Sequence, residues 1–240
     1  MSLDHLNVRF CAVLALLGVL SSNSSAAIVP FTEDFDNDAA NWFDSTGMNL
    51  LDWIPAGGPD GGSYVSSIFN FVNSVPDDPA ILFRGHDAFD SSGDAFVGNW
   101  ITDGVSEFSF FIRHHAPLPL TVFTRFASPM NFPGAVALEF VPLLPNVWTE
   151  ILIAIDPGNP QFITFEGSDF DTVFSNIGNL QLGVIVPRDL AGVDADFTFD
   201  LDKVTIIPAP AGFAVVVIGA LVNRRRRRSR SAWRSVPNAA

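Results

Sequence analysis

The sequence has one cysteine, Cys11, one tyrosine, Tyr64, and only six lysine or arginine residues before its last 33 positions. Each shortage excludes something. Cys11 lies in an N-terminal apolar stretch, so the chain after it has no disulfide framework, no thiol nucleophile and no thiolate metal site. No apolar run reaches the roughly 20 residues that make a full membrane-spanning helix. Between Ile28 and Ile207, 25 acidic groups face five basic ones (Arg84, Arg113, Arg125, Arg188 and Lys203), a net charge of about −20. A body this acidic repels nucleic-acid phosphate, which removes nucleic acid from its partners. It suits exposure to salt water or to divalent cations. No stretch of the body carries a sustained helical period, which excludes a helical bundle.

The ends differ from the body. Residues 1–27 read as a secretory signal peptide. Arg9 precedes the apolar run Cys11–Leu20, and Ser25 and Ala27 take the −3 and −1 positions of a cleavage site before Ile28. At the other end, Ala211–Val222 is a twelve-residue apolar run followed by five arginines, Arg224, Arg225, Arg226, Arg227 and Arg228. As a helix this run spans about 18 Å, short against the roughly 30 Å hydrocarbon core. Residues 229–240 form a basic tail.

Residues 28–207 read as one all-β sandwich domain. "VSEFSFFIR" (Val105–Arg113) puts Phe108, Phe110 and Ile112 on one face. "VWTEILIAID" (Val147–Asp156) alternates Ile151, Ile153 and Ile155 against Trp148, Glu150 and Leu152. "DFTFDLDKVTII" (Asp196–Ile207) sends Phe197, Phe199 and Leu201 one way and Asp200 and Asp202 the other. Further runs at 119–126 and 179–187, with Gly and Pro every ten residues or so, give the spacing of an antiparallel sandwich. The 23 phenylalanines suit a core between two sheets. Pro55–Ala80 reads as a long surface excursion near one end. The loop aromatics Trp42, Trp53, Tyr64 and Trp100 are candidates to stack on a sugar ring; core or rim packing accounts for them equally well.

Signals for catalysis are thin. His114 and His115 are adjacent on a strand and point to opposite faces, so they cannot readily share a metal. No nucleophile elbow of the form G-x-S-x-G occurs, and carboxylate pairs such as Asp77–Asp78 cannot be told from surface acid. "DSSGDAF" and "GPDGG" read as turns. The sequence thus points to a binding or structural protein and not to an enzyme.

Two stretches carry resemblances. "FTEDFDNDAANWF" (Phe31–Phe43), the central "WTEILI" from Trp148 and the closing "FDLDKVTI" (Phe199–Ile206) resemble, in order, segments of jelly-roll carbohydrate-binding-like domains. That resemblance implies a jelly-roll-like sandwich, a polysaccharide ligand, and a structural Ca²⁺ where the first and last strands meet. Its side-chain ligands would be Glu33 and Asp202. From the residues alone, both are equally readable as solvated strand-face carboxylates.

"PAPAGFAVVVIGALVNRRRRR" (208–228) resembles the PEP-CTERM sorting signal of exported bacterial proteins, with Pro208, Ala209 and Pro210 as its motif residues. The resemblance implies an exosortase-type enzyme as partner and a C-terminal hydrophobic helix that meets the membrane. Ala209 stands where the family carries Glu, and the tail continues further past the arginines than the family's. A sorting address that is later cut off and a plain membrane anchor both fit. The arginines stay cytoplasmic by the positive-inside rule in either case. The sequence reads as an exported surface or matrix protein whose sandwich binds carbohydrate. A structural envelope protein without a ligand, or a glycan hydrolase or lyase, is the alternative.

Overall fold

The computed structural model describes residues 26–209. Most of the signal-peptide segment, Pro210, the apolar run, Arg224–Arg228 and the basic tail lie outside them.

The body is an antiparallel jelly-roll-like β-sandwich. Its strands are β1 (Phe31–Glu33), β2 (Asp52–Ile54), β3 (Tyr64–Asn70), β4 (Pro79–His86), β5 (Val105–His114) and β6 (Thr121–Ala127). They continue with β7 (Gly134–Leu138), β8 (Thr149–Ala154), β9 (Phe162–Thr164), β10 (Asn179–Ile185) and β11 (Asp196–Pro208). One short helix, α1 (Phe170–Phe174), precedes β10, and the Asp169 side chain caps its first turn. The first sheet runs β2-β3-β11-β5-β8, with β1 also paired to β11; the second runs β4-β10-β6-β7-β9.

The period-two patterns become the core directly. Phe108, Phe110 and Ile112 of β5, Ile151 and Ile153 of β8, and Phe199 and Leu201 of β11 are all buried between the sheets. From the second sheet, Leu180, Leu182, Val122 and Phe126 meet them. Aromatic rings in edge-to-face and tilted contact run through this layer, among them Trp100 against Phe108, Phe126 and Phe174.

The 13-residue strand β11 organises the first sheet. Its first half pairs with β3 and its second half with β1, where Phe31 stands opposite Ile206 and Glu33 opposite Val204. A bulge between Asp202 and Thr205 separates the halves, with Lys203 in the left-handed region at φ 49°. The first and last strands therefore meet, as the sequence resemblance implied.

The excursion expected over 55–80 is corrected: its middle is β3, which sits inside the first sheet between β2 and β11. Serines at Ser66 and Ser67 dilute the apolar alternation there. They occupy a strand because Ser66 faces a buried carboxylate, described below. The Gly-rich segment 55–63 before β3 is a loop that folds back over the outer face of the first sheet, and 74–78 after it is a second, shorter one.

Candidate functional site

Two of the four aromatics singled out from the sequence are core residues. Trp42 and Trp100 are both 0% exposed. Trp42 donates from Nε1 to the Ser92 hydroxyl and packs on Phe35 and Phe96; Trp100 donates to the Phe96 carbonyl. A ring enclosed on all sides cannot stack on a sugar, so their expected binding role is corrected. Trp53 is 38% exposed at the edge of the first sheet, with Nε1 donating to the Phe35 carbonyl at 2.7 Å. Tyr64 is half-buried and is the residue around which a polar and aromatic cluster forms.

That cluster lies on the outer face of the first sheet. Asp200 stands opposite Ser66 of β3 on one side and Arg113 of β5 on the other. Its carboxylate, 1% exposed, accepts from the Ser66 hydroxyl at 2.8 Å and from Arg113 Nε at 2.8 Å. The Arg113 guanidinium is thereby laid over the indole of Trp148 at 4.6 Å and the ring of Tyr64 at 5.2 Å. Tyr64 and Trp148 meet edge to face at 5.4 Å, and Trp148 Nε1 donates to the Gly57 carbonyl of the overlying loop at 3.0 Å. The two terminal nitrogens of Arg113 have no hydrogen-bond partner among the described residues. The result is a planar fork of donors, fixed from behind, on a half-exposed aromatic surface.

The outer face of the second sheet carries a different arginine. Arg125 Nε and one terminal nitrogen grip Glu166 at 2.6 and 2.7 Å. The remaining contacts go to the Asn131 carbonyl, the Asn131 side chain and Gln181. Gly134 makes room for it: a Cβ there would lie 2.9 Å from the guanidinium. Arg125 holds Glu166 well below the usual carboxylate range, chiefly through the hydrogen bonds it donates. Each of its donors is used inside the protein, so it is a clamp on the 128–133 loop and the segment after β9.

The two carboxylates that the resemblance assigned to Ca²⁺ sit in neither a solvated nor a metal-like setting. Glu33 is half-buried; burial raises its pKa, against hydrogen bonds from Ser92 and the Phe35 amide. Asp202 is 1% exposed, and burial pushes its pKa up to about 7, with the Lys203 amide, donating to Oδ1 at 2.7 Å, opposing. The Lys203 ammonium bridges Asp34 at 3.0 Å and Asp60 at 2.8 Å beside it. Among the described residues no three His, Cys, Asp or Glu side chains converge as a metal site. Glu33 instead lines an acidic cleft of about 410 Å³ with Asp34, Asp36, Asp38 and Asp90. His114 is buried with Nε2 on the Leu143 carbonyl, burial pushes its pKa down, and His115 is exposed on the opposite side.

No protein-family model matches the sequence, and no curated protein matches it. Among solved structures, the chain is similar to the CBM22-1–GH10 modules of the Clostridium thermocellum endo-1,4-β-D-xylanase 10B, complexed with xylohexaose. The identity is 16% and the TM-score 0.46, over 76% of this chain and 29% of that one. It is similar to the family 11 carbohydrate-binding module of the cellulase Lic26A-Cel5E from the same organism, at 13% identity and TM-score 0.41, over 77% and 97% of the two chains. The CBM22-1 xylan-binding domain of Paenibacillus barcinonensis Xyn10C gives 14% and 0.44, over 78% and 100%. The chain spans less than a third of the xylanase chain, 29%, and 26% of an exo-β-agarase chain.

Sequence reading missed Arg113, Trp148, Asp200 and Arg125. A signal existed for three of them: Arg113 and Arg125 are two of only five bases in the body, and Asp200 alternates out of the core pattern.

Proposed function

We propose that this protein is an exported bacterial surface or matrix protein whose sandwich binds polysaccharide through Tyr64, Arg113 and Trp148. One observation carries the reading: an arginine held by a buried carboxylate lies on two aromatic rings with its terminal N–H groups unpartnered. Sugar hydroxyls accept from such a fork, while the faces and edges of the rings take the apolar side of a pyranose. Charge selects among glycans. Asp200 offsets Arg113, and the body carries about −20, so an anionic polymer is repelled and a neutral one is not.

The test is retention of the protein on neutral polysaccharides (xylan, mixed-linkage β-glucan, agarose) against polygalacturonate. Binding to a neutral polymer that falls at least tenfold in Arg113→Ala supports the reading. Equal retention of wild type and variant, or none at all, leaves the ligand-free structural alternative.

Export and sorting are part of the same proposal. The Ala209 amide donates to the Gly104 carbonyl, so the end of β11 is held against the turn that precedes β5. This supports a sorting motif that starts where the sandwich ends, for Pro208 is the last residue of β11. Mass spectrometry of both ends of the mature protein tests it. An unprocessed C-terminus held in the membrane favours an anchor; a truncated one favours an exosortase-type address.

A further inference from the structure

Of the five basic side chains between Ile28 and Ile207, four hold a carboxylate: Arg113, Arg125, Arg188 and Lys203. Arg84 of β4 holds none among the described residues, although the body around it carries a net charge of about −20. Its Nε donates to the Ser45 carbonyl at 3.0 Å. Its two terminal nitrogens have no hydrogen-bond partner among the described residues and are not enclosed. Asp44, the acid whose charge acts on Arg84, is spent inside its own loop. There it accepts from the Thr46 hydroxyl at 2.6 Å, the Asn49 side chain at 2.9 Å and the Gly47 amide at 3.1 Å.

The surroundings of Arg84 are aromatic on one side and polar on the other. On the outer face of the second sheet it shares a row with Gln181 of β10 and Arg125 of β6. Beyond β4, Phe43 exchanges both backbone hydrogen bonds with Arg84, at 3.0 and 2.9 Å, so its ring stands on the same face. Phe89 packs on Phe43 with centroids 4.2 Å apart. Gly47 lies across the pair: a Cβ there would be 3.7 Å from both Arg84 Cδ and Phe89 Cζ. The guanidinium is half-buried in this setting, and burial pushes its pKa down, with Asp44 opposing and Arg125 adding.

We propose that Arg84 is a second binding site, which takes the carboxylate of a uronic acid while the sugar ring rests on Phe43 and Phe89. The contrast with Arg113 carries the assignment. Both guanidiniums are anchored at Nε and turn an open fork outward beside aromatic rings. The charge of Arg113 is offset by buried Asp200, which suits neutral hydroxyls. The anchor of Arg84 is an uncharged carbonyl, so its whole charge remains, partly desolvated, for a bidentate charge-assisted pair with a planar carboxylate. A polymer of repeated uronates meets the repulsion of the entire body, whereas one uronate on an otherwise neutral chain meets chiefly the local field of Arg84. The site goes beyond the Arg113 cluster and does not rest on it.

The experiment follows the Nε–H resonance of Arg84 in the full chain at neutral pH and constant ionic strength. Sodium D-glucuronate, D-glucose and sodium acetate are added in separate titrations. Glucuronate is expected to move the resonance to saturation and glucose to leave it in place; acetate is expected to bind at least about tenfold more weakly, lacking the ring contacts. Arg84→Gln should weaken glucuronate binding by about tenfold or more and leave retention on mixed-linkage β-glucan as in wild type. Phe89→Ala, which keeps the guanidinium and its anchor, should weaken glucuronate about fivefold. An Arg84 resonance that glucuronate does not move overturns the site. Acetate binding as tightly as glucuronate, or F89A binding it like wild type, overturns the uronic-acid assignment. If R84Q does not fold, the wild-type titrations and F89A still decide. If wild type fails to hold β-glucan, the Arg113 reading falls and the glucuronate result stands.

Discussion

The two outer faces of the sandwich each carry one arginine paired to a carboxylate, and they use it differently. Arg125 gives its donors to Glu166, Asn131 and Gln181, all within the protein. Arg113 gives Nε to Asp200 and leaves its terminal nitrogens to the outside, resting on Trp148 and Tyr64. A saturated guanidinium adds rigidity; a half-used one, fixed from behind, can recognise something. The faces also titrate oppositely. Glu166 on the second sheet has a lowered pKa, so the stability it contributes is present above its unfolded value and is lost as pH falls through the folded one. Asp202 on the first sheet has a pKa raised to about 7, so its contribution is full below about pH 4 and is lost as pH rises through 7.

The comparison can be broken at four points. Asp202→Asn should remove the alkaline loss and raise stability at pH 8.5 by up to about 4 kcal/mol, the linkage value of a shift near three units. Urea midpoints at pH 5 and 8.5 check it; an equal change at both would separate Asp202 from the pH dependence. Arg125→Ala should cost about 2–4 kcal/mol, because Glu166 and Gln181 lose their partner in a half-buried setting. Its glycan affinity at a temperature where it is folded should match wild type; a loss would make the second face part of the site. Arg113→Lys keeps a charge for Asp200 and loses the fork. About tenfold weaker glycan binding is expected, with stability lowered by about 1 kcal/mol, read by calorimetry and urea titration. Trp148→Ala should weaken binding by about fivefold, near 1 kcal/mol, and leave the urea midpoint nearly unchanged. Unchanged affinity there would remove the aromatic floor from the reading.

Much of the fold was legible because strand periodicity survives in single segments. Phe108, Phe110 and Ile112 face inward as their spacing required, and so do Ile151, Ile153, Phe199 and Leu201. β3 was missed because serines interrupt its apolar pattern, and the outward one, Ser66, is matched to Asp200, a partner 134 residues away along the chain. The aromatics were only partly legible. Tryptophan in a Gly- and Asp-rich stretch looks the same whether it enters the core, as Trp42 and Trp100 do, or stays at the surface beside Tyr64. Alternation places Asp200 and Asp202 on the outer face correctly, yet that face is covered there, and both are buried.

By itself, the sequence determined the all-β class, the strand faces, the charge of the body and the composition of its ends, since each depends on local period or on summed counts. Only the tertiary structure decided which carboxylates are buried, which arginine is saturated, and that a glycine loop spans from Asp202 to Trp148. Those properties belong to pairs of residues brought together by strand order and register, and side-chain solvation is set by what lies across the sheet and not by what lies next in the chain.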